Sequence, residues 1–309
     1  MPVPVATHTS PRAASVTVGV VQQSVAGNDK QANWLSSAEQ IRSLAESGCR
    51  CILLQELHST LYFCQTEETH VFDLAEPIKG EGHAFFGQLA AELNIVLITS
   101  MFEHRASGLY HNTAVVYDCS AEIAGTYRKM HIPDDPGFYE KFYFTPGDMG
   151  FTPIDTSIGK LGVLVCWDQW YPEAARLMAM AGADILFYPT AIGWDRNDST
   201  DEQQRQRDAW QIIQRSHAVA NSVPVVVANR TGFEAAPDST NDAAGIEFWG
   251  TSFVAGPQGE ILAQASTDQS ENLIVTLDLQ RTETVKRIWP YFRDRRIDAY
   301  NDLSKRWRD

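Results

Sequence analysis

The 309-residue chain is 44% hydrophobic and 21% charged, an ordinary globular composition that can bury a large core without disulfide staples. Its formal net charge of -14, from 39 acidic against 25 basic residues, argues against nucleic acid and against an anionic membrane surface as partners. Both are bound chiefly through Lys and Arg. Cys49, Cys51, Cys64, Cys119 and Cys166 are an odd set with no C-x-x-C among them, which suits a reducing, cytoplasmic setting.

Residues 1–15 (MPVPVATHTSPRAAS) lack a basic n-region followed by an apolar h-region, and read as a disordered arm ahead of one domain at 16–309. No apolar run reaches the length of a membrane span. Residues 16–22 (VTVGVVQ) read as a strand. Asn28 or Asp29 then caps a helix in which Trp34, Leu35, Ala38, Ile41, Leu44 and Ala45 recur at helical spacing. Gly48 ends that helix, and strand 51–54 delivers Glu56 at its C-terminal end. A helix at 84–93 and a strand at 95–100 follow. Strands 113–117 and 123–127 pair around 118–121, and the second leads into Lys129 and His131. Residues 132–150 are rich in Pro, Gly, Asp and aromatics and read as a long ordered loop.

Residues 161–165 form a short apolar run that reads as a buried strand, and Pro172 opens a helix over 172–181. Cys166 therefore stands where a strand turns toward a helix, a place where backbone N–H groups and the helix dipole favour thiolate. Strand 184–188, a polar loop at 195–202, helix 204–221, strands 223–229 and 248–255, a GPQG turn at 256–259 and strand 273–277 complete the body. The tail from Arg281 is helical and then mixed in charge. Alternating strands and helices with interposed hairpins predict a layered α/β domain.

Glu56, Lys129 and Cys166 each stand at or near a strand end, where α/β folds hold reactive groups. Singly they also read as a surface carboxylate, a solvated lysine and a buried structural cysteine. Together they form an acyl-transfer set, with Glu56 as a desolvated base, Cys166 as nucleophile and Lys129 as a fixed cation for the oxyanion. Among the eight histidines no H-x-H or H-E-x-x-H occurs, which argues against a metal-dependent hydrolase. The intact set argues against a non-enzymatic binding scaffold.

The segments QELHSTLYFCQ at 55–65, YRKMHIPDDPGFYEKFYFTPGD at 127–148 and LVCWDQWYPEAARLMAMAGADILFYPTAIGW at 164–194 resemble the nitrilase superfamily of carbon–nitrogen hydrolases. VANR at 227–230, GTSFVAGPQGEI at 250–261 and FRDRRIDAY at 292–300 extend the likeness to nearly the whole chain. The resemblance implies an αββα sandwich, pairing into a four-layer αββα–αββα core in a homo-oligomer of two or more copies through a C-terminal interface tail. It implies Cys166 as nucleophile, Glu56 as general base, Lys129 and the backbone N–H of Trp167 at the oxyanion, and Glu140 as a second carboxylate beside Lys129.

No cofactor or metal is implied. The expected substrate is a small cationic ureido compound, N-carbamoylputrescine, hydrolysed to putrescine, carbon dioxide and ammonia. The alternative is a carbamoyl amino acid such as N-carbamoyl-β-alanine, which requires an Arg at the distal end of the pocket. Asp195 is the candidate acceptor for the distal amine, with Tyr62, Trp194 and His131 as further pocket candidates. Trp194 and Asp195 stand where the resemblance leads one to expect Ser-Glu. A loop anchor is the competing reading for His131.

Overall fold

A computed structural model describes residues 14–237 and 244–308. Alternation at a period of two builds the first sheet. In β1 (Ser15–Gln22), Val16, Val18 and Val20 face the centre of the molecule, and Val21 faces outward onto α1 (Lys30–Glu46). Cys51 and Leu53 of β2 (Cys51–Leu53) face inward and Ile52 outward. Val96 and Ile98 of β3 (Val96–Ala106) oppose Leu97 in the same way, and the outer set packs under α1 and α2 (Glu81–Leu93). β4 (Leu109–Asp118) and β5 (Ile123–Arg128) extend the sheet as hairpins.

After the short helix α3 (Glu140–Tyr143), the second sheet begins with β6 (Ile154–Thr156) and β7 (Gly159–Val163). Helix α4 (Pro172–Met180), β8 (Ile185–Pro189), β9 (Gly193–Asp195), α5 (Thr200–Asn221) and β10 (Val225–Ala228) follow. The chain continues through β11 (Thr231–Ala235), β12 (Gly245–Trp249), β13 (Phe253–Ala255), β14 (Ile261–Gln264), β15 (Glu271–Asp278) and α6 (Leu279–Ile288). The first sheet has the order β15-β1-β2-β3-β4-β5 and the second β14-β13-β10-β8-β7-β6. A small sheet β11-β12-β9 sits apart from them. Helices α1 and α2 cover the first sheet and α4 and α5 the second, while one apolar cluster joins the facing sides of both sheets. The result is the αββα sandwich.

Strands β1, β2 and β3 run parallel, as do β7, β8 and β10. Two successive antiparallel pairings bring β5 back to the direction of β3. The C-terminal ends of β2 and β5 therefore emerge at one edge, and the loops that follow them can meet.

Several expectations need correction. Ala14 and Ser15 are ordered: Ser15 starts β1, and the Ala14 carbonyl accepts from the Leu279 N–H at 3.0 Å. Residues 1–13 of the expected arm lie outside the described residues. Leu35 is exposed, because Trp34, Ala38, Ile41 and Leu44 already fill the stripe of α1 that faces the sheet. Helix α5 starts at Thr200, four residues before the expected 204, because the Ser199 side chain accepts from the Glu202 N–H. The strand expected at 248–255 is two strands in different sheets. Gly250 and Thr251, at φ of 49° and 55°, are both left-handed and break the pleat between β12 and β13.

Candidate active site

Glu56 lies just beyond β2, Lys129 directly beyond β5 and Cys166 three residues beyond β7. All three side chains are buried, as is Glu140 at the start of α3. The Glu56 N–H donates to the Thr190 carbonyl at 3.3 Å, which ties the loop after β2 to the end of β8 in the other sheet. The Lys129 N–H donates to the Asn112 carbonyl at 2.9 Å, and its own carbonyl accepts from Gly147 at 2.8 Å.

The Lys129 ammonium donates to Glu56 Oε1 at 2.8 Å and to Glu140 Oε2 at 2.6 Å. Asn112 Nδ2 donates to the same Glu56 oxygen at 2.6 Å, and the Tyr62 hydroxyl donates to Glu140 Oε1 at 2.7 Å. Glu56 Oε2 meets no hydrogen-bond partner among the described residues. One carboxylate oxygen is thus fixed by two donors, and the other is left to take a proton.

Two buried carboxylates sharing one ammonium cannot both be comfortable as anions. Burial pushes the Glu140 carboxyl up to about 7, with Glu56 adding to the effect and Lys129 opposing it. Burial works against the Lys129 charge, yet Glu140 and Glu56 hold its pKa well above the ordinary lysine value. The Cys166 thiol is raised well above its ordinary value, first by burial and then by Glu56, against the pull of Lys129. The expected thiolate-favouring dipole does not win here. A 3-10 turn, Cys166–Trp170, separates Cys166 from α4, and desolvation dominates. The resting group is a thiol, and it needs a base at the moment of reaction.

Cys166 is held in a left-handed conformation at φ 44°, uncommon for a residue with a side chain. Asp168 fixes this elbow. Its Oδ2 accepts from the Val165 N–H and the Tyr127 hydroxyl, both at 2.9 Å. Its Oδ1 accepts from the His131 N–H at 3.1 Å and lies 2.7 Å from His131 Nδ1. Trp167 sits in the first turn of the 3-10 segment, where an N–H has no intrahelical acceptor.

A cavity of about 580 Å³ opens onto Cys166, with Glu140, Trp167, Phe138, Trp170 and Trp249 in its lining. Its outer part is lined by Asp135, Asp195, Asp198, Glu202 and Arg205. Arg205 is engaged by Glu202 Oε2 at 3.0 Å and 2.8 Å. Asp195 lines the cavity, but its Oδ1 accepts two bonds from Asn197, each at 2.8 Å.

Three pocket candidates are placed elsewhere. The Trp194 ring packs against Trp249 with 5.4 Å between centroids and donates to the Gln203 carbonyl at 2.9 Å, so it supports the wall from behind. His131 stacks on Tyr171 at 3.7 Å and is tied to Asp168, which makes it an anchor of the elbow outside the cavity lining. Tyr62 lies behind Glu140 and orients it.

Asn112, Asp168 and the pair Arg230–Glu234, whose guanidinium donates to the Glu56 carbonyl at 3.1 Å, are what sequence reasoning passed over. Asp168 and Arg230 lie inside segments already singled out, CWDQW and VANR. Asn112 carries no local signal, since Glu56 lies 56 residues away, and Glu234 stands four residues from Arg230 but also reaches Tyr62, 172 residues away.

Residues 17–287 match the family model described as carbon–nitrogen hydrolase. An N-carbamoylputrescine amidase of Arabidopsis thaliana is 42% identical over 282 residues, covering 91% of this chain and 93% of the relative. A citrullinase of Francisella tularensis is 39% identical, covering 95% of this chain and all (100%) of the relative. The crystal structure of a carbon–nitrogen hydrolase from Helicobacter pylori G27 superimposes with a TM-score of 0.92 at 52% identity, covering 95% of this chain and 100% of that one. With a family match across most of its length, and with relatives of this identity and coverage, the chain belongs to the carbon–nitrogen hydrolase family.

Proposed function

We propose that this chain hydrolyses N-carbamoylputrescine to putrescine, carbon dioxide and ammonia, in the cytoplasm and without a metal or organic cofactor. The observation that carries the reading is the buried Glu56–Lys129–Glu140 cluster, with Glu140 and Cys166 lining a cavity that Asp135, Asp195, Asp198 and Glu202 also line. The amidase relatives support the substrate class.

Glu56 Oε2 takes the Cys166 proton as Sγ adds to the ureido carbon. The carbonyl oxygen becomes an oxyanion, stabilised by the Lys129 ammonium and the Trp167 N–H. The C–N bond to the terminal amino group breaks, and that nitrogen leaves as ammonia with the proton returned by Glu56. A carbamoyl thioester remains on Cys166. Water then loses a proton to Glu56 and attacks the same carbon, and the thiolate departs and regains its proton. The N-carboxy amine released loses carbon dioxide to give putrescine. Glu140 shares the Lys129 ammonium with Glu56 and holds it in place. At the far end of the substrate an ammonium meets Asp135, Asp195, Asp198 and Glu202.

A second reading is favoured by Arg205 and by the citrullinase relative: a ureido amino acid whose carboxylate meets that guanidinium. Glu202 already occupies Arg205, which favours the simple cationic end. Parallel assays of ammonia release from N-carbamoylputrescine, L-citrulline and N-carbamoyl-β-alanine separate these readings. N-carbamoylputrescine is expected to give the highest kcat/KM, with Cys166→Ala lowering turnover by about a million-fold. A preference for L-citrulline or N-carbamoyl-β-alanine overturns the substrate assignment. Substantial turnover by the alanine variant overturns the nucleophile.

A further inference from the structure

Residues 56–62 lie between Glu56 and Tyr62 without helix or strand, and Leu57 is left-handed at φ 48°. A buried segment of this kind has backbone carbonyls and N–H groups that no ladder satisfies. Four of them are satisfied from 170 to 174 residues away. Arg230 Nη2 donates to the carbonyls of Glu56 at 3.1 Å and Leu57 at 2.8 Å, and Nη1 donates to the Thr60 carbonyl at 3.0 Å. Glu234 on β11 accepts from Arg230 Nη1 at 2.6 Å with one oxygen and from the Tyr62 N–H at 2.6 Å with the other.

The pair thus engages three carbonyls and one N–H within seven consecutive residues of the sequence, 56–62. Both side chains are buried, and neither is in the cavity lining. His58, in the same segment, is pushed down to about 3 by burial and then by Arg230, so it is neutral. At one end of the clamped segment is Glu56, bonded to Lys129, and at the other is Tyr62, bonded to Glu140. One guanidinium–carboxylate pair thus links the placement of the two carboxylates that share the ammonium, alongside the Glu56 N–H bond to Thr190 and the Leu57 N–H bond to Ser100 Oγ.

We infer that Arg230 and Glu234 are positioning residues for catalysis, setting where Glu56 stands relative to Cys166 and Lys129. This rests on Glu56 being the general base. A purely structural ion pair would behave differently. Replacing both members by apolar residues leaves no lone buried charge and is often tolerated by a fold. The test uses Arg230→Met/Glu234→Leu, with Arg230→Lys and Glu56→Gln alongside. A lysine keeps the charge beside Glu234, but its point ammonium cannot span the three carbonyls as the planar fork does.

The double variant is expected to fold, as judged by circular dichroism and a cooperative melt. Its kcat is expected to fall by about 100-fold, the scale of a displacement of about 1 Å in a reacting group, with KM within about threefold of the parent. The acid limb of its kcat–pH profile is expected to move, because Glu140, oriented through Tyr62, no longer sits in the same field. Arg230→Lys is expected to show the same split. A double variant with kcat within about threefold of the parent and an unchanged pH profile overturns the inference. If that variant does not fold, the same readouts on Arg230→Lys decide it by the same criterion. Should Glu56→Gln retain turnover, the general-base reading beneath the inference falls. Loss in Glu56→Gln with parent-like positioning variants removes only the inference.

Discussion

At the scale of single residues, the chemistry rests on a charge imbalance. Glu140 illustrates it: burial first, and Glu56 second, raise its carboxyl from the ordinary 4.5 to about 7. Once ionised, Glu140 is a full acceptor for the Lys129 ammonium and the Tyr62 hydroxyl and fixes both, so kcat is expected to rise with pH through about 7. Glu140→Gln should lower kcat and abolish that limb. The sign for stability is opposite. A carboxyl whose folded value is raised contributes fully below its unfolded pKa, and that contribution is lost as pH climbs through the folded value. Between about pH 4.5 and about pH 7, the wild-type chain should therefore lose thermal stability relative to Glu140→Gln. Tm and kcat measured for both proteins across that window check this, and parallel profiles would refute the Glu140 assignment.

The reacting groups were legible because each falls in a compact local signature: an acid, a cation or a thiol at a strand end. Asn112 and the Arg230–Glu234 pair were not, because what matters about them is which backbone or side-chain atom they reach. Arg230 reads locally as one more basic residue after an apolar strand. Its importance comes from the Glu56 and Leu57 carbonyls, which folding alone brings to it. Similarly, a strand-to-helix junction suggests thiolate for Cys166, whereas its pKa is dominated by burial, which no short window reports.

Among the elements, the break between β12 and β13 hands the chain from the small sheet to the second main sheet. It does so through Gly250 at φ 49°, which packs closely against its neighbours. A Cβ there would stand 2.7 Å from Gln22 Nε2 and 2.8 Å from the Ser266 carbonyl. Gln22 is not free to yield, since its amide donates to Ser266 and Gln269 and accepts from the Ser252 N–H. Gly250→Ala is therefore expected to lower stability by about 1–3 kcal/mol, from overpacking and the left-handed backbone together. Chemical denaturation would measure it, and an unchanged midpoint would mean that the handover tolerates a side chain. Trp249 lies just before the break and lines the cavity, so KM should rise as well.

Strand β1 was read at 16–22, almost to its bounds, whereas β4, Leu109–Asp118, was read only over 113–117. Of the three-residue strands, β2 was read within 51–54, whereas β6 and β9 carry too little pattern to be read. The run at 248–255 was misread because its apolar residues continue across two residues whose backbone reverses. Composition does not record that reversal. The start of α5 was missed because Ser199, its cap, lies in a stretch so polar that it reads as loop.

For the molecule as a whole, apolar surface is concentrated near the C-terminal end. Ile288, Trp289, Ile297, Leu303 and Trp307 are all exposed, the last to 81%. Arg176 of α4 lies 4.8 Å from the Phe292 ring centroid, which fastens this tail across α4, where Leu177 and Met180 are also exposed. Exposed large apolar side chains gathered in this way mark a contact surface. With self-association already expected from the sequence, the proposed occupant is a second copy of the chain. Arg293 and Arg296, whose ion pairs among the described residues are with neighbouring Asp294 and Asp298 and are exposed, contribute little to holding the tail by themselves. Burial against the partner is then the main driving force, so the assembly should persist at high salt, where surface charges are screened. Light scattering of the full chain should give a multiple of the 34.5 kDa protomer. Removal of residues 289–309, or Ile297→Ser with Trp307→Ser where the truncated chain is insoluble, should shift the mass toward one protomer. A monomeric full-length chain, or an assembly indifferent to these changes, rules out the tail as the interface.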